Sequence, residues 1–203
     1  MLQAIKHGLG NLTNINGRDA RQPFWLYVLF LYLVSMAISM VVTMPMMGNV
    51  MATAVQQGMA QAGNADPAAA DAAARAAITV AVGDMLPTIR WTSVATALLL
   101  ILGLSAALAR RLHDSGLSGY WALLPVGLQA FSTAMVPVQM AKVQESMAAA
   151  MSGDPTQSLA AIQNSFGPGP LAAWAAIAVV IALGVRKSDE GSNRYGEAPF
   201  QID

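Results

Sequence analysis

Between Arg21 and Asp66 the chain carries no charged side chain, and Phe24 to Val42 within that stretch is apolar almost without break. A spanning helix needs about 20 mostly apolar residues to cross roughly 30 Å of hydrocarbon. A second such run, Trp91 to Ala109, lies between Arg90 and Arg110. A third, Tyr120 to Val138, contains Pro125, Gly127 and Pro137 but no charge. Leu171 to Val185 is shorter and reaches spanning length by extending back through Gly167-Pro168-Gly169-Pro170. The pattern predicts an all-α polytopic membrane protein, a four-span transmembrane helical bundle in a single membrane domain. Its spans fall at about 24–42, 91–109, 120–138 and 168–185. Tails 1–22 and 186–203 and outer segments 48–90 and 139–167 complete the chain. The first run is longer than a signal-peptide core and is preceded by 23 residues, so it is expected to be a retained span.

Composition agrees. Of 203 residues, 55% are hydrophobic and 11% charged, against roughly a quarter charged in a soluble chain. There is no cysteine, which removes disulfides and thiolate chemistry. The formal net charge of zero supplies no overall field for nucleic acid. With two histidines, His7 and His113, and no glycine-rich phosphate loop, zinc-helix motif or carboxylate pair, no catalytic residue, metal site or cofactor is expected.

Orientation follows the lysines and arginines. With the N-terminus inside, the cytoplasmic segments hold Lys6, Arg18, Arg21, Arg110, Arg111, Arg186, Lys187 and Arg194. The outer loops hold Arg75, Arg90 and Lys142. Both termini are therefore expected in the cytoplasm. Trp25, Trp91, Tyr120 and Trp121 fall near span edges, where amphipathic rings prefer the headgroup level.

The loops are unequal. The inner connection from Arg110 to Tyr120 is short, with Gly116 placed to close one helix in a left-handed cap and Ser118 to cap the next. The outer segments are too long to be structureless, and both are expected to be helical, forming an extracytoplasmic cap. Asp66-Pro67 starts the first, Asp71 and Arg75 pair at i, i+4 along it, and Gly83 ends it. Asp154-Pro155 starts the second, with Leu159, Ile162 and Phe166 on one face. The shared order of span, Met-rich extension, Asp-Pro start and short helix reads as an internal pseudo-repeat. Ahead of the first span, Leu2, Ile5, Leu9 and Leu12 share one face of a short amphipathic helix suited to the inner leaflet.

Three segments on the cytoplasmic side carry a family resemblance. They are Asn16-Gly17-Arg18-Asp19-Ala20-Arg21-Gln22-Pro23-Phe24-Trp25, Arg110-Arg111-Leu112-His113-Asp114-Ser115-Gly116-Leu117-Ser118-Gly119-Tyr120-Trp121, and Gly191-Ser192-Asn193-Arg194-Tyr195-Gly196-Glu197-Ala198-Pro199. Together and in this order they resemble the bacterial inner-membrane family called domain of unknown function 805. The resemblance covers the membrane core and its inner rim, and implies a multi-pass protein of the bacterial inner (cytoplasmic) membrane without an established reaction. Tyr120 stands where the family commonly has tryptophan, and the outer segments are longer than the resemblance leads one to expect.

All three motifs fall on one side, so Arg18, Arg21, Arg110, Arg111, His113, Asp114 and Arg194 are expected to converge on an inner rim. Arg110 and Asp114 are spaced i, i+4 for pairing on one helix end. Two readings of the rim stand open. One is a polar clamp tying both tails to the short hairpin. The other is a site for an anionic lipid or a membrane-protein partner, since guanidinium groups bind phosphate bidentately. His113-Asp114-Ser115 contains hydrolase residue types, but neighbours on a helix end point in different directions.

Thirteen methionines are placed unevenly. Met36, Met40, Met44, Met47 and Met51 form one stripe if a single helix runs through Pro45, and Met140, Met147 and Met151 form a looser one. Such a stripe is either an adaptable packing face or a set of soft ligands for Cu(I). The expected function is that of a non-enzymatic scaffold or accessory subunit. It would meet the lipid bilayer, anionic lipid, a membrane-protein partner or a second copy of itself. Transport or handling of a small solute or Cu(I) at the Met-lined outer face is the alternative.

Overall fold

The computed structural model describes residues 1–61, 67–151 and 167–199. The order of elements is α1 (Leu2–Gly10), α2 (Arg21–Gln61), α3 (Pro67–Asp114), a 3-10 turn (Gly119–Ala122), α4 (Leu123–Ala134), α5 (Val136–Met151) and α6 (Pro168–Gly184). No strand occurs among the described residues, only an isolated bridge between Asn193 and Gly196. Two helices, Arg21–Ala60 and Ala68–Asp114, are long and apolar enough to cross a membrane. A third joins them if the broken pair Gly119–Ala134 and Val136–Ala149 is one span. The apolar helices point to a membrane protein.

One helix runs through a proline at which the sequence left its continuation open, and another runs on where the sequence predicted an end. α2 passes through Pro45 without a break and has 41 residues, about twice what a bilayer requires. α3 starts at Pro67, as expected of a proline at the first helical position. It does not end at Gly83, however, but continues through Gly83 and Pro87 to Asp114. A glycine inside a helix costs about 1 kcal/mol, which a long helix absorbs readily. The expected pair Asp71–Arg75 forms, at 2.9 Å. The third predicted span, by contrast, is divided at Met135. Pro137 has no N–H to offer the carbonyl of Thr133, and the ladder restarts with the Gln139 N–H on the Met135 carbonyl at 3.0 Å. The capping residue Asp66 and the expected second outer helix, with Asp154, Pro155, Leu159, Ile162 and Phe166, lie outside the described residues. That helix and its Asp-Pro start are those of the second half of the pseudo-repeat.

The chain forms two compact units, one of residues 1–37, 95–134 and 168–203 and one of 38–94 and 135–167. The first holds the three motif segments. Its core joins Phe24, Tyr27, Val28 and Leu31 of α2 to Ala107, Leu108, Ala109 and Leu112 of α3 and to Ala122. Small residues set the close approaches. A Cβ on Gly103 would lie 2.8 Å from Leu31, and one on Gly184 would lie 2.8 Å from both Phe24 and Trp25. α4 packs along α6.

α1 docks in the same way. Its buried residues are Ala4 and Gly8, and a Cβ on Gly8 would meet the Tyr27 ring at 2.4 Å. Leu2, Leu9 and Leu12 of the predicted apolar face are exposed. The small face of this segment grips the protein, while its leucines point away from it.

Candidate functional site: a buried arginine network

The site is built at the C-terminal end of α3. Gly116, in the left-handed conformation at φ +73°, ends that helix. The Leu117 N–H reaches back to the Leu112 carbonyl and the Gly116 N–H to that of His113, at 3.0 and 3.1 Å, which forms a Schellman cap. Leu117 packs against the core that holds Leu112. Ser118 then accepts the Tyr120 N–H and starts the 3-10 turn, as the sequence predicts.

This cap presents Arg110, Arg111, His113 and Asp114 at one level, all buried. Asp114 is the hub. Its Oδ1 accepts from Arg18 Nε and Nη2 at 3.2 and 3.0 Å, and its Oδ2 accepts from Arg111 Nη1. The side chains of Arg18, Arg111 and Asp114 are fully shielded from solvent. The expected i, i+4 pair of Arg110 with Asp114 is not what forms. Asp114 bonds Arg111 one turn back, and Arg110 is taken by Asp19 at 2.9 Å. Asp19 is set there by its own N–H, which donates to the Arg110 carbonyl at 3.2 Å. The other Asp19 carboxylate oxygen lies 2.8 Å from His7 Nε2.

Other guanidinium hydrogens go to backbone carbonyls of the tails, and Arg111 Nη1 also reaches the Ser188 hydroxyl at 3.3 Å. Arg18 donates to Asp189, at 2.7 Å, and to Gly191. Arg110 donates to Asn11, at 2.8 Å, and to Asn14. Arg111 donates to Gly184, at 3.0 Å, and to Arg186. The last two carbonyls lie at the C-terminal end of α6, where helix carbonyls lack partners and a cation is favoured. The tail is fixed further by the Asp189 N–H on the Asp114 carbonyl at 2.8 Å and by the Asn193 amide on the His113 carbonyl at 2.9 Å. Tyr195 stacks on the His113 ring, centroids 3.9 Å apart and nearly parallel.

Five of the seven expected rim residues, Arg18, Arg110, Arg111, His113 and Asp114, thus meet in one network. Arg194 sits at its edge, donating to the Gly116 carbonyl at 3.2 Å with its guanidinium 4.7 Å from the Tyr195 ring centroid. Arg21 is exposed, as are Arg186 and Lys187. Lys187 pairs with Glu190. Asp19, His7, Asp189, Asn193 and Tyr195 escaped the sequence reading as site residues. Asp19 stood next to Arg18 in the first motif, and Asn193 and Tyr195 lay in the third.

Three arginines against two aspartates leave this buried cluster with a formal excess of one positive charge, before His7 is considered. Desolvating such ions costs several kcal/mol each and is offset only when nearly every donor is satisfied. Among the described residues, only Arg110 Nη2 and the nearby Tyr27 hydroxyl are buried side-chain atoms without a hydrogen-bond partner. The run His113-Asp114-Ser115 is directed three ways. Asp114 faces arginines, His113 Nδ1 lies 3.3 Å from the Gly17 carbonyl, and the Ser115 hydroxyl bonds the Leu112 carbonyl.

Neither the curated proteins nor the solved structures contain a match to this chain. The family described as Protein of unknown function (DUF805) matches residues 12–197, which takes in the first two motif segments, the third as far as Glu197, and Arg18, Asp19, Arg110, Arg111 and Asp114 of the network. The chain belongs to that family.

Proposed function

We propose that the chain is a four-span protein of the bacterial inner membrane with both termini in the cytoplasm. In this reading it acts as a non-enzymatic scaffold or accessory subunit whose inner rim is held as a clamp. The observation that carries the reading is the destination of the arginines. Arg18, Arg110 and Arg111 spend their hydrogen bonds on two aspartates and on backbone carbonyls of both tails. A group so enclosed holds structure, and contact with partners or anionic lipid falls to the exposed Arg21, Arg186, Lys187 and Arg194. The third span is then the broken pair α4 and α5, and the fourth is α6. The 17 residues of α6 cover about 25 Å of rise, close to a hydrocarbon thickness. The exposed leucines of α1 suit the headgroup boundary of the inner leaflet.

The cysteine-free chain permits a direct test. Single cysteines at Asn14 and Ser192 should resist an impermeant maleimide in intact cells, while one at Ala69 should react. Reaction at either tail position overturns the orientation. Replacing Arg21, Arg186 and Lys187 by glutamine should release bound partner or lipid on gentle extraction and leave the fold intact. Unchanged retention would remove the scaffold role of these cations.

A second reading has one observation in its favour. Met36, Met40, Met44, Met47 and Met51 are all exposed along α2 rather than packed within the described chain. Thioethers so placed are available to a soft cation such as Cu(I) or to a small solute. Replacing Met40, Met44 and Met47 by leucine should lower copper tolerance if metal is handled there. An unaltered tolerance disposes of the copper reading.

A further inference from the structure

Beside the network, and sharing His113 with it, the first unit contains a groove of about 560 Å³. That lies within the range of roughly 300–1,000 Å³ typical of pockets that hold small molecules. Its lining is apolar at Ala109 of α3 and at Ala122, Leu123 and Val126 of the following turn and helix, and polar at His113, Ser118 and Tyr195. Arg194 does not line the groove but stands next to it, its guanidinium 4.7 Å from the Tyr195 ring centroid. Arg194 is exposed and gives one N–H to the Gly116 carbonyl, so it retains N–H groups for another acceptor. The Ser118 oxygen accepts from the Tyr120 N–H, which leaves its own hydrogen free to donate.

We propose that this groove is a binding site for one anionic glycerophospholipid, with an acyl chain along Ala109, Ala122 and Val126 and the phosphate at Arg194 and Ser118. An apolar groove with a hydroxyl in its wall and a guanidinium beside it suits an acyl chain joined to a phosphate. A headgroup with a compensating cation would bring that cation toward Arg194. Part of the wall is itself lipid-compatible, since Tyr120 and Leu123 are more than half exposed. The site rests on the reading that this end of the bundle lies at headgroup level. It does not require Arg18, Arg110 or Arg111, which are enclosed. The sequence reading placed anionic lipid on the whole arginine rim, and the geometry narrows it to one position on the edge of that rim.

The experiment is native mass spectrometry of the full chain in a mild detergent, titrated with phosphatidylglycerol and, in parallel, with phosphatidylcholine of matched acyl chains. One phosphatidylglycerol should bind well ahead of the first phosphatidylcholine. Arg194→Gln should weaken the first phosphatidylglycerol about tenfold, the scale of one lost charge-assisted hydrogen bond, with little effect on phosphatidylcholine. Ile15→Asp, an exposed loop position on the groove wall, should do the same by repulsion without disturbing the core. Leu123→Trp, filling an exposed wall position, should weaken both lipids. Equal binding of the two lipids by the wild-type protein overturns the proposal, as does wild-type phosphatidylglycerol affinity in both charge variants. Selective binding together with outward-facing tails in the cysteine test would keep the site and overturn only the orientation.

Discussion

Asp114→Asn is the substitution that most directly probes the network. The side chain keeps its size, but the carboxylate loses its charge, and one of its two oxygens becomes an amide nitrogen. In the native arrangement Oδ1 takes two N–H groups from Arg18 and Oδ2 takes one from Arg111, with all three side chains fully buried. The amide must therefore turn a donor toward a guanidinium, and the cluster's formal excess rises from one positive charge to two. Breaking a buried pair by removing one partner costs about 3–5 kcal/mol. That corresponds to roughly two to four decades in the folding equilibrium. The control is Asp71→Asn, which removes one side of the Asp71–Arg75 pair, where both groups are well exposed. Water screens that pair, and its loss should cost under about 1 kcal/mol. Unfolding in detergent followed by tryptophan fluorescence reads both variants. In a double-mutant cycle, adding Arg111→Gln to Asp114→Asn should cost less than the two separate losses combined, because Arg111 no longer faces an acceptor of opposite charge. A loss at Asp114 as small as that at Asp71, with no coupling to Arg111, would refute the argument, since the guanidiniums would then find other partners freely.

Three further substitutions test the packing around the site. Tyr27→Phe removes a buried hydroxyl that has no partner among the described residues and keeps the ring, so it should leave stability unchanged or raise it by about 1 kcal/mol in the same unfolding assay. Gly8→Leu places bulk where a Cβ alone would lie 2.4 Å from the Tyr27 ring; it should release α1, seen as faster amide hydrogen exchange across residues 2–10, at a cost of about 1–3 kcal/mol. Gly116→Ala forces a side chain into a left-handed conformation and its Cβ to within 2.7 Å of the Asp189 carboxylate; it should destabilise by at least about 1–2 kcal/mol, whereas Gly127→Ala, in open space on α4, should be neutral or stabilising.

Local signals were legible in the sequence where a residue acts on its immediate neighbours. Gly116 and Ser118 could be read because a cap is decided within a few residues, and Pro67 because its missing N–H is harmless at a helix start. Gly83 was read as an end and is not one, and Pro45 stayed undecided, because a helix breaker states a local cost and not whether the rest of the helix overrides it. Pro137 has the same chemistry as Pro45 and does coincide with a break, and nothing in the two sequences separates them. The rim was legible as a gathering of motifs but not as a set of pairs. Arg110 has Asp114 within helical reach, yet it bonds Asp19, 91 positions away in sequence. Charge spacing along a helix sees only the nearer partner. Which arginines would be buried was also beyond a sequence argument, since Arg18 and Arg21 belong to the same motif and end on opposite sides of the burial boundary.

That division between Arg18 and Arg21 bears on why a membrane protein would enclose so much charge. Replacing a buried ion network with apolar side chains is often neutral or stabilising, so stability alone is a weak reason to keep one. What an apolar core lacks is direction. Hydrocarbon side chains pack about as well after α6 slides or turns relative to α3, whereas the Arg111 guanidinium reaches the Gly184 and Arg186 carbonyls and the Asp114 carboxylate only in one register. Arg18 adds the same constraint on the tail after α6, and Arg110 on the loop after α1. In a bilayer, where lipid tails compete on equal terms with apolar side chains for helix surfaces, such a constraint has few apolar substitutes. The enclosed arginines therefore set where the chain segments stand, and by being enclosed they cannot also serve as the surface met by a headgroup. In the function proposed above, that surface falls to the exposed Arg21, Arg186, Lys187 and Arg194.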